Sequence, residues 1–231
     1  MTDTVNLPQI GLTARPSVAD QVFDELNRQI LSLDLKPGAK LSEVEVAKAM
    51  GVSRQPVRDA FYRLSKLGFL LIRPQRATTV SLISSEAVMQ ARFIRTALEI
   101  EVVRVAATRL SKADLEALNA ILSEQEQCVE RKDQAAFHQL DDQFHREICE
   151  RSGMGFAWDL IAENKGHMDR VRMLSLSFAL HDAWQDHVGI LTALRSGDPE
   201  VAAAELRHHL TRILDQINRI RDANRDWFAD E

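Results

Sequence analysis

Asp141 and His145 stand four residues apart, so on a helix they lie one turn apart on one face, the spacing by which a helix offers two ligands to one ion. They fall within the apolar stripe of Phe137, Leu140, Phe144 and Ile148, which turns both inward. His187 sits amid Trp184, Ile190, Leu191 and Leu194, and His209 is in line with Leu206, Ile213, Ile217 and Ile220, while His208 points away. An inward carboxylate and three inward imidazoles each cost at least ~1–3 kcal/mol if left without partners. A divalent cation would satisfy all four. Three nitrogens and one oxygen suit zinc, nickel, manganese or iron(II), with zinc the first choice. Such an ion keeps open positions if it is five- or six-coordinate. Each histidine alone also fits a hydrogen-bonded core residue, and it is the set of four that points to a metal.

A second constellation lies at Val52-Ser53-Arg54-Gln55-Pro56-Val57-Arg58-Asp59-Ala60. Ser53 can cap a helix with its hydroxyl, and Pro56 is tolerated in a first turn, where N–H groups have no intrahelical partner. The helix that follows would bury Val57, Ala60, Phe61 and Leu64 and offer Gln55, Arg58 and Tyr62 outward. Arginines and a glutamine on the exposed face of a short helix suit the edges of bases in a major groove. The helix N-terminus with Ser53 suits a phosphate.

The surrounding elements place this helix in a recognisable frame. Ser17 to Leu33 carries Val18, Val22, Leu26, Ile30 and Leu33 at helical spacing and is ended by Lys36-Pro37-Gly38. Ser42 with Glu45 reads as a capping box for a second short helix. Gly51-Val52 then turns the chain into the third, and together these make a helix-turn-helix. Phe69 to Ile72 and Thr78 to Ser81 read as two short β-runs flanking Arg73-Pro74-Gln75-Arg76-Ala77, a hairpin with a basic tip.

From about Ser84 the chain carries only helix signals: Ser84, Ser111 with Asp114, Asp133 and Asp198-Pro199. Helices are expected over 86–110, 112–131, 133–151, 156–177, 182–196 and 199–228. The reading is a mainly α protein, an N-terminal winged helix-turn-helix followed by an all-α antiparallel helical bundle. The expected divisions are a tail over 1–16, a winged helix-turn-helix domain over 17–81 and an all-α domain over 82–231. Ser81 to Ser85 is a short junction rather than a long linker.

Charge is divided along the same boundary. The formal net charge is −5, yet residues 1–81 hold 11 Lys+Arg against 8 Asp+Glu, leaving 18 basic and 26 acidic residues for the remainder. Between Lys36 and Arg76 there are 9 basic and 3 acidic residues, the footprint of a phosphate-contacting module in an otherwise acidic protein. A solvated basic face gives the same count. Cys128 and Cys149 show no CxxC spacing and read as reduced, semi-buried thiols. No apolar run approaches the ~20 residues needed to cross a bilayer, and Met1 to Pro16 lacks the basic-then-apolar pattern of a secretory signal. A cytoplasmic protein without membrane contact is expected.

The run Leu35-Lys36-Pro37-Gly38, Leu41-Ser42-Glu43, Gly51-Val52-Ser53-Arg54, Pro56-Val57-Arg58-Asp59-Ala60, Leu64, Leu67-Gly68 and Ile72-Arg73-Pro74 resembles the GntR family of bacterial winged-helix transcription regulators. The bundle resembles the FCD ligand-sensing domain of that family's FadR-like branch, so the likeness covers nearly everything after Pro16. It implies DNA contacts from Ser53, Arg54, Gln55, Arg58 and, at the wing, Arg76. Two departures from the family pattern matter. Val44 stands where many relatives carry arginine, and Ala77 where glycine commonly follows the basic wing residue. The Cβ of Ala77 would keep the backbone farther from a minor groove, making Arg76 a phosphate contact more than a base reader.

The pattern Asp141-x-x-Phe144-His145, Asp186-His187 and His209-Leu210 resembles the metal-binding set of many FCD domains. By the same family resemblance, 82–231 is an effector-binding, metal-binding and dimerisation domain. The resemblance further implies a homodimer on a pseudo-palindromic double-stranded operator, acting as a repressor, with a small organic or sugar acid as effector. Arg95, in Arg95-Thr96-Ala97-Leu98-Glu99, is the first candidate for an effector-binding cation and Arg172 the second; an ordinary salt bridge is the alternative for either. Two competing functions remain open on the residues. One is a purely structural metal. The other is a metal-dependent hydrolase, since three histidines and an aspartate can activate water, although no HExxH or nucleophile motif accompanies them.

Overall fold

The computed structural model describes residues 16–73 and 76–230. The tail expected over 1–16, apart from Pro16, and the wing-tip residues Pro74 and Gln75 lie outside the described residues. The described elements are α1 (Val18–Leu31), β1 (Lys40–Leu41), α2 (Glu43–Met50), α3 (Arg54–Lys66), β2 (Leu70–Leu71), β3 (Thr78–Val80), α4 (Ser85–Arg109), α5 (Lys112–Arg131), α6 (Gln134–Arg151), α7 (Gly155–Asn164), α8 (Gly166–Ser196) and α9 (Pro199–Ala223), then a 3-10 turn over Arg225–Trp227. They form two compact units, one of residues up to 28 with 40–79, the other of 29–39 with 80 onward.

In the first unit Gly51 closes α2 in the left-handed region at φ 66°, its N–H bonded to the Lys48 carbonyl. That conformation costs an L-residue strain and glycine none, which permits the sharp turn into α3. Helix α3 buries Val57, Ala60, Phe61 and Leu64, and Val57, Phe61 and Leu64 are each worth ~1.5–3 kcal/mol. Arg54, Gln55, Arg58 and Tyr62 are left exposed, as the spacing predicts.

Two capping expectations fail. Ser42 and Ser53 occupy the N-cap positions with extended backbone, but neither hydroxyl makes a capping hydrogen bond. The wing hairpin forms as β2 and β3, shorter than expected. A third strand, β1, joins it in the order β1-β3-β2, pairing Lys40 with Thr79 and Leu41 with Thr78. With two residues, β1 has no alternation for a sequence to display.

The second unit is a helical bundle in which α4, α8 and α9 pack mutually and α5 packs on α6 and α8. Its caps follow the expected chemistry. The Ser84 hydroxyl accepts from the Ala87 N–H, Ser111 and Asp114 form a full capping box, Asp133 caps α6, and Asp198 precedes Pro199 at the start of α9. The expected helices 156–177 and 182–196 are wrong in their division. The chain breaks at Lys165 instead, and α8 runs unbroken through Phe178-Ala179-Leu180-His181, which holds no glycine or proline to stop it. The interruption is a single residue, Lys165, which keeps right-handed helical backbone angles and is followed by Gly166. The buried Lys165 ammonium is held by Asp142 at 2.7 Å and Asp169 at 2.5 Å. The last expected helix ends early, at Ala223 rather than 228, where the 3-10 turn begins and Ile83 pairs in parallel with Phe228. Ahead of α4, the guanidinium of buried Arg170 donates to the Ser81 carbonyl at 2.6 Å.

The bundle core is not continuous apolar packing. One cluster centres on Phe144, Ile148, Ile161, Ile190 and Leu206, another on Phe137, Cys128, Leu176 and Leu180. The rings of Phe144 and Phe137 both lie against His187, at 4.8 and 6.2 Å between centroids. Polar residues thus occupy the seam between two apolar clusters. Among the described residues no helix is long and apolar enough to cross a membrane.

Candidate functional site

Asp141 and His145 on α6, His187 on α8 and His209 on α9 converge in that seam, with one ligand atom from each lying within 4.8 Å of the others. All four are buried, whereas the side chain of His208 is 69% exposed. The ring centroids of His187 and His209 are 4.7 Å apart, and that of His145 is 5.2 Å from each.

Each imidazole is oriented by an acceptor on its outer nitrogen. The Nδ1 of His145 meets Glu99 Oε2 at 2.7 Å, that of His187 meets Gln125 Oε1 at 2.8 Å, and that of His209 meets Asp186 Oδ2 at 3.2 Å. The Gln125 amide is itself fixed, because its Nε2 donates to the Leu140 carbonyl at 3.0 Å. An acceptor opposite Nδ1 places the proton there and leaves the Nε2 lone pair inward, the arrangement in which outer-shell partners orient metal-bound histidine. His145 Nε2 and Asp141 Oδ2 are buried without a hydrogen-bond partner, and His187 Nε2 faces Asp141 Oδ1 at 3.2 Å, two acceptors once Nδ1 carries the proton. Orphaned inward acceptors at this spacing fit a divalent cation, which would accept lone pairs from all four residues and act as a Lewis acid toward an added ligand.

The electrostatics favour the same protonation states. Burial holds the His187 pKa below its ordinary value despite the opposing Asp141 carboxylate. Burial also pushes His209 down to about 3, outweighing its hydrogen bond to Asp186. Both imidazoles are therefore neutral, the metal-binding form. Burial by itself would raise Asp141, but Arg172 and His187 overcome it and hold the carboxyl well below the usual range. At Glu99 burial is likewise overcome, by Arg95 and His145.

The two effector candidates are both buried and both already paired. Arg95 donates through Nε to Glu99 on its own helix, and Arg172 donates through Nη2 to Asp141. Neither is a free cation, yet both Nη atoms of Arg95 and Nη1 of Arg172 remain buried without partners. A narrow cleft between α8 and α9 reaches the site, lined by Arg172, Ser175, His209, Arg212 and Gln216 along with apolar side chains. Arg95 is not among its lining residues.

At the other end of the chain, Ser53, Arg54, Gln55, Arg58 and Arg76 are exposed, as is Val44 at 55%. Ser53, Arg54, Gln55 and Arg58 lie together at the start of α3. Glu99, Gln125 and Asp186 were absent from the expected site. Gln125 had a readable signal, since it continues the buried stripe of Leu118, Ile121 and Leu122 on α5, the rule that picked out Asp141. Asp186 and Glu99 show no such signal apart from their places in the quoted motifs.

A winged helix-turn-helix presenting an exposed polar helix, joined in one chain to a helical bundle, defines a helix-turn-helix transcription regulator. Residues 18–80 match the family described as bacterial regulatory proteins, gntR family, and residues 90–212 match the FCD domain. The chain belongs to the GntR family of bacterial transcription regulators, in the FadR-like group that carries an FCD domain. It is 36% identical over 216 residues to the HTH-type transcriptional repressor RspR of Escherichia coli K12, spanning 93% of this chain and 95% of that one. It is 36% identical over 222 residues to the HTH-type transcriptional regulator YdfH of Escherichia coli O6:H1, spanning 95% and 97%. The solved structure of E. coli McbR/YncC superposes with a TM-score of 0.76 at 25% identity, covering 89% of this chain and 99% of that one. These relatives are transcription regulators, which sets the hydrolase alternative aside.

Proposed function

We propose that the protein is a repressor that binds a pseudo-palindromic operator as a homodimer and changes its DNA affinity when a small organic or sugar acid binds at a divalent ion, zinc first among the candidates, held by Asp141, His145, His187 and His209. The observation that carries this reading is the set of inward Nε2 and Oδ2 acceptors, with the outer nitrogen of each imidazole oriented by an acceptor. Charge supports an anionic effector. The buried cations Arg95, Lys165, Arg170 and Arg172 outnumber the buried carboxylates Glu99, Asp141 and Asp169. A divalent ion adds to that positive excess, and an entering carboxylate offsets it.

The cleft supports Arg172 over Arg95 as the cation nearest an entering acid, the reverse of the order expected from sequence. Arg172 lines the cleft beside His209 and holds Asp141, so an acid that draws its guanidinium away would alter the restraint between α6 and α8. For the dimer, large exposed apolar side chains, Phe93 on α4 and Phe156 and Leu160 on α7, suit cover by a second copy.

The test is a thermal-shift screen of organic and sugar acids on protein reconstituted with zinc, nickel, manganese or iron(II), beside chelated protein. About one ion per chain is expected, with a Tm rise from at least one acid that chelation removes. Ion binding with no metal-dependent acid effect would instead support a purely structural metal, and no bound ion after reconstitution would falsify the site.

A further inference from the structure

The side chains expected to read bases are not free in the protein; acidic residues hold each of them. A single oxygen of Glu43, Oε2, accepts from Arg54 Nη2 at 3.3 Å and from Arg58 Nη2 at 3.4 Å. Gln55 Nε2 donates to Asp59 Oδ1 at 2.9 Å. Glu43 is the first residue of α2, where the positive end of the helix dipole favours a carboxylate. It reaches across the helix-turn-helix to both arginines of α3. The two guanidinium groups are about 60% exposed and the Glu43 side chain 28%, so Glu43 is the more anchored partner.

Two consequences follow from this arrangement. The first is electrostatic. Arg54 and Arg58 bring two positive charges to the reading face, and Glu43 and Asp59 bring two negative ones. The face therefore has no net attraction for a bare phosphate backbone, although the segment around it is strongly basic. The second is geometric. A shared contact at Nη2 leaves Nη1 of each arginine, and the second Nη2 hydrogen, able to form the two parallel bonds that guanine O6 and N7 accept. The carboxylate thus weakens the sequence-blind part of binding while holding the forks in place for the sequence-reading part.

We infer that Glu43 is a specificity-determining residue: it positions Arg54 and Arg58 for bases and suppresses their use on phosphates. The inference rests on the proposed placement of Arg54 and Arg58 at base edges, and its test separates the two. Full-length dimer is titrated with a duplex that the wild-type protein has itself selected from a randomised pool, and with a scrambled duplex, over a range of salt. Four proteins are compared: wild type, Glu43→Gln, Arg54→Ala, and Glu116→Gln, which removes an exposed acid of α5 and controls for net charge.

For Glu43→Gln the expected result is tighter binding to scrambled DNA with a log–log salt slope steeper by about one. The ratio of operator to scrambled affinity should fall about tenfold, within the range one good base contact provides. Glu116→Gln should leave the ratio unchanged. A ratio that stays constant or rises in Glu43→Gln, while Arg54→Ala loses operator binding selectively, overturns the role of Glu43 alone. Equal loss on both duplexes in Arg54→Ala overturns both the base-reading placement and the inference built on it.

Discussion

Replacing Asp141 by alanine should cost the metal-free protein about 3–5 kcal/mol in urea denaturation, because it strips a buried arginine of its counter-charge. Arg172 is only 7% exposed and donates to Asp141, which is itself fully buried. The guanidinium would be left in the seam between two apolar clusters. The same change removes the only oxygen ligand of the four-residue set, so the added stability from ion binding should vanish too. That added stability reaches ~4 kcal/mol when free ion exceeds its dissociation constant a thousandfold. The pair can be dissected with a second change. Asp141→Ala combined with Arg172→Met removes the stranded charge and should recover much of the metal-free loss, while ion binding stays absent. A single variant within 1 kcal/mol of wild type, or one that still binds the ion at unchanged affinity, would sink this account of the centre.

Replacing Arg54 by alanine should weaken operator binding by about 1–3 kcal/mol while changing binding to random DNA far less. The argument is positional. Arg54 opens α3 at the end that enters a groove in helix-turn-helix proteins, and Val44 on α2 offers no hydrogen-bonding group beside it. On the proposed placement, specificity would concentrate on Arg54, Gln55 and Arg58. A salt titration separates the outcomes, since loss of a phosphate contact flattens the salt slope on every sequence and loss of a base contact does not. Equal loss on operator and random DNA would remove Arg54 from the base-reading residues.

How much of this could be read from the chain depended on whether the signal was local. The inward histidines were legible because helical periodicity assigns a face to each residue, and the same rule separated His209 from His208. Gln125 obeyed that rule as well, though a neutral amide in an apolar stripe draws less notice than a carboxylate or imidazole. Strand β1 was invisible because two residues carry no period. The break between α7 and α8 was missed for another reason. Lys165 keeps helical backbone angles and helical hydrogen bonds on either side, so the interruption is slight, and Gly166 is the single local signal beside it.

The pairing of Glu43 with both arginines of α3 spans 11 and 15 residues and needed the turn at Gly51 to be built before it could be seen. At Ser42 and Ser53 the sequence carried the capping residue types, but N-cap identity fixes the position of a helix start more firmly than it fixes the hydrogen bond. The cleft that Arg172 lines is a property of how α8 meets α9 rather than of either helix, so no stretch of sequence displays it.

The central claim is that the metal site and the DNA-reading helix belong to one switch worked by an acid. Operator affinity should be measured for metal-loaded and chelated full-length protein, each with and without the acid that raises Tm most. The account expects the acid to change operator affinity at least several-fold in metal-loaded protein and to have no effect after chelation. An acid response of the same size in both forms, or no response in either, would contradict it.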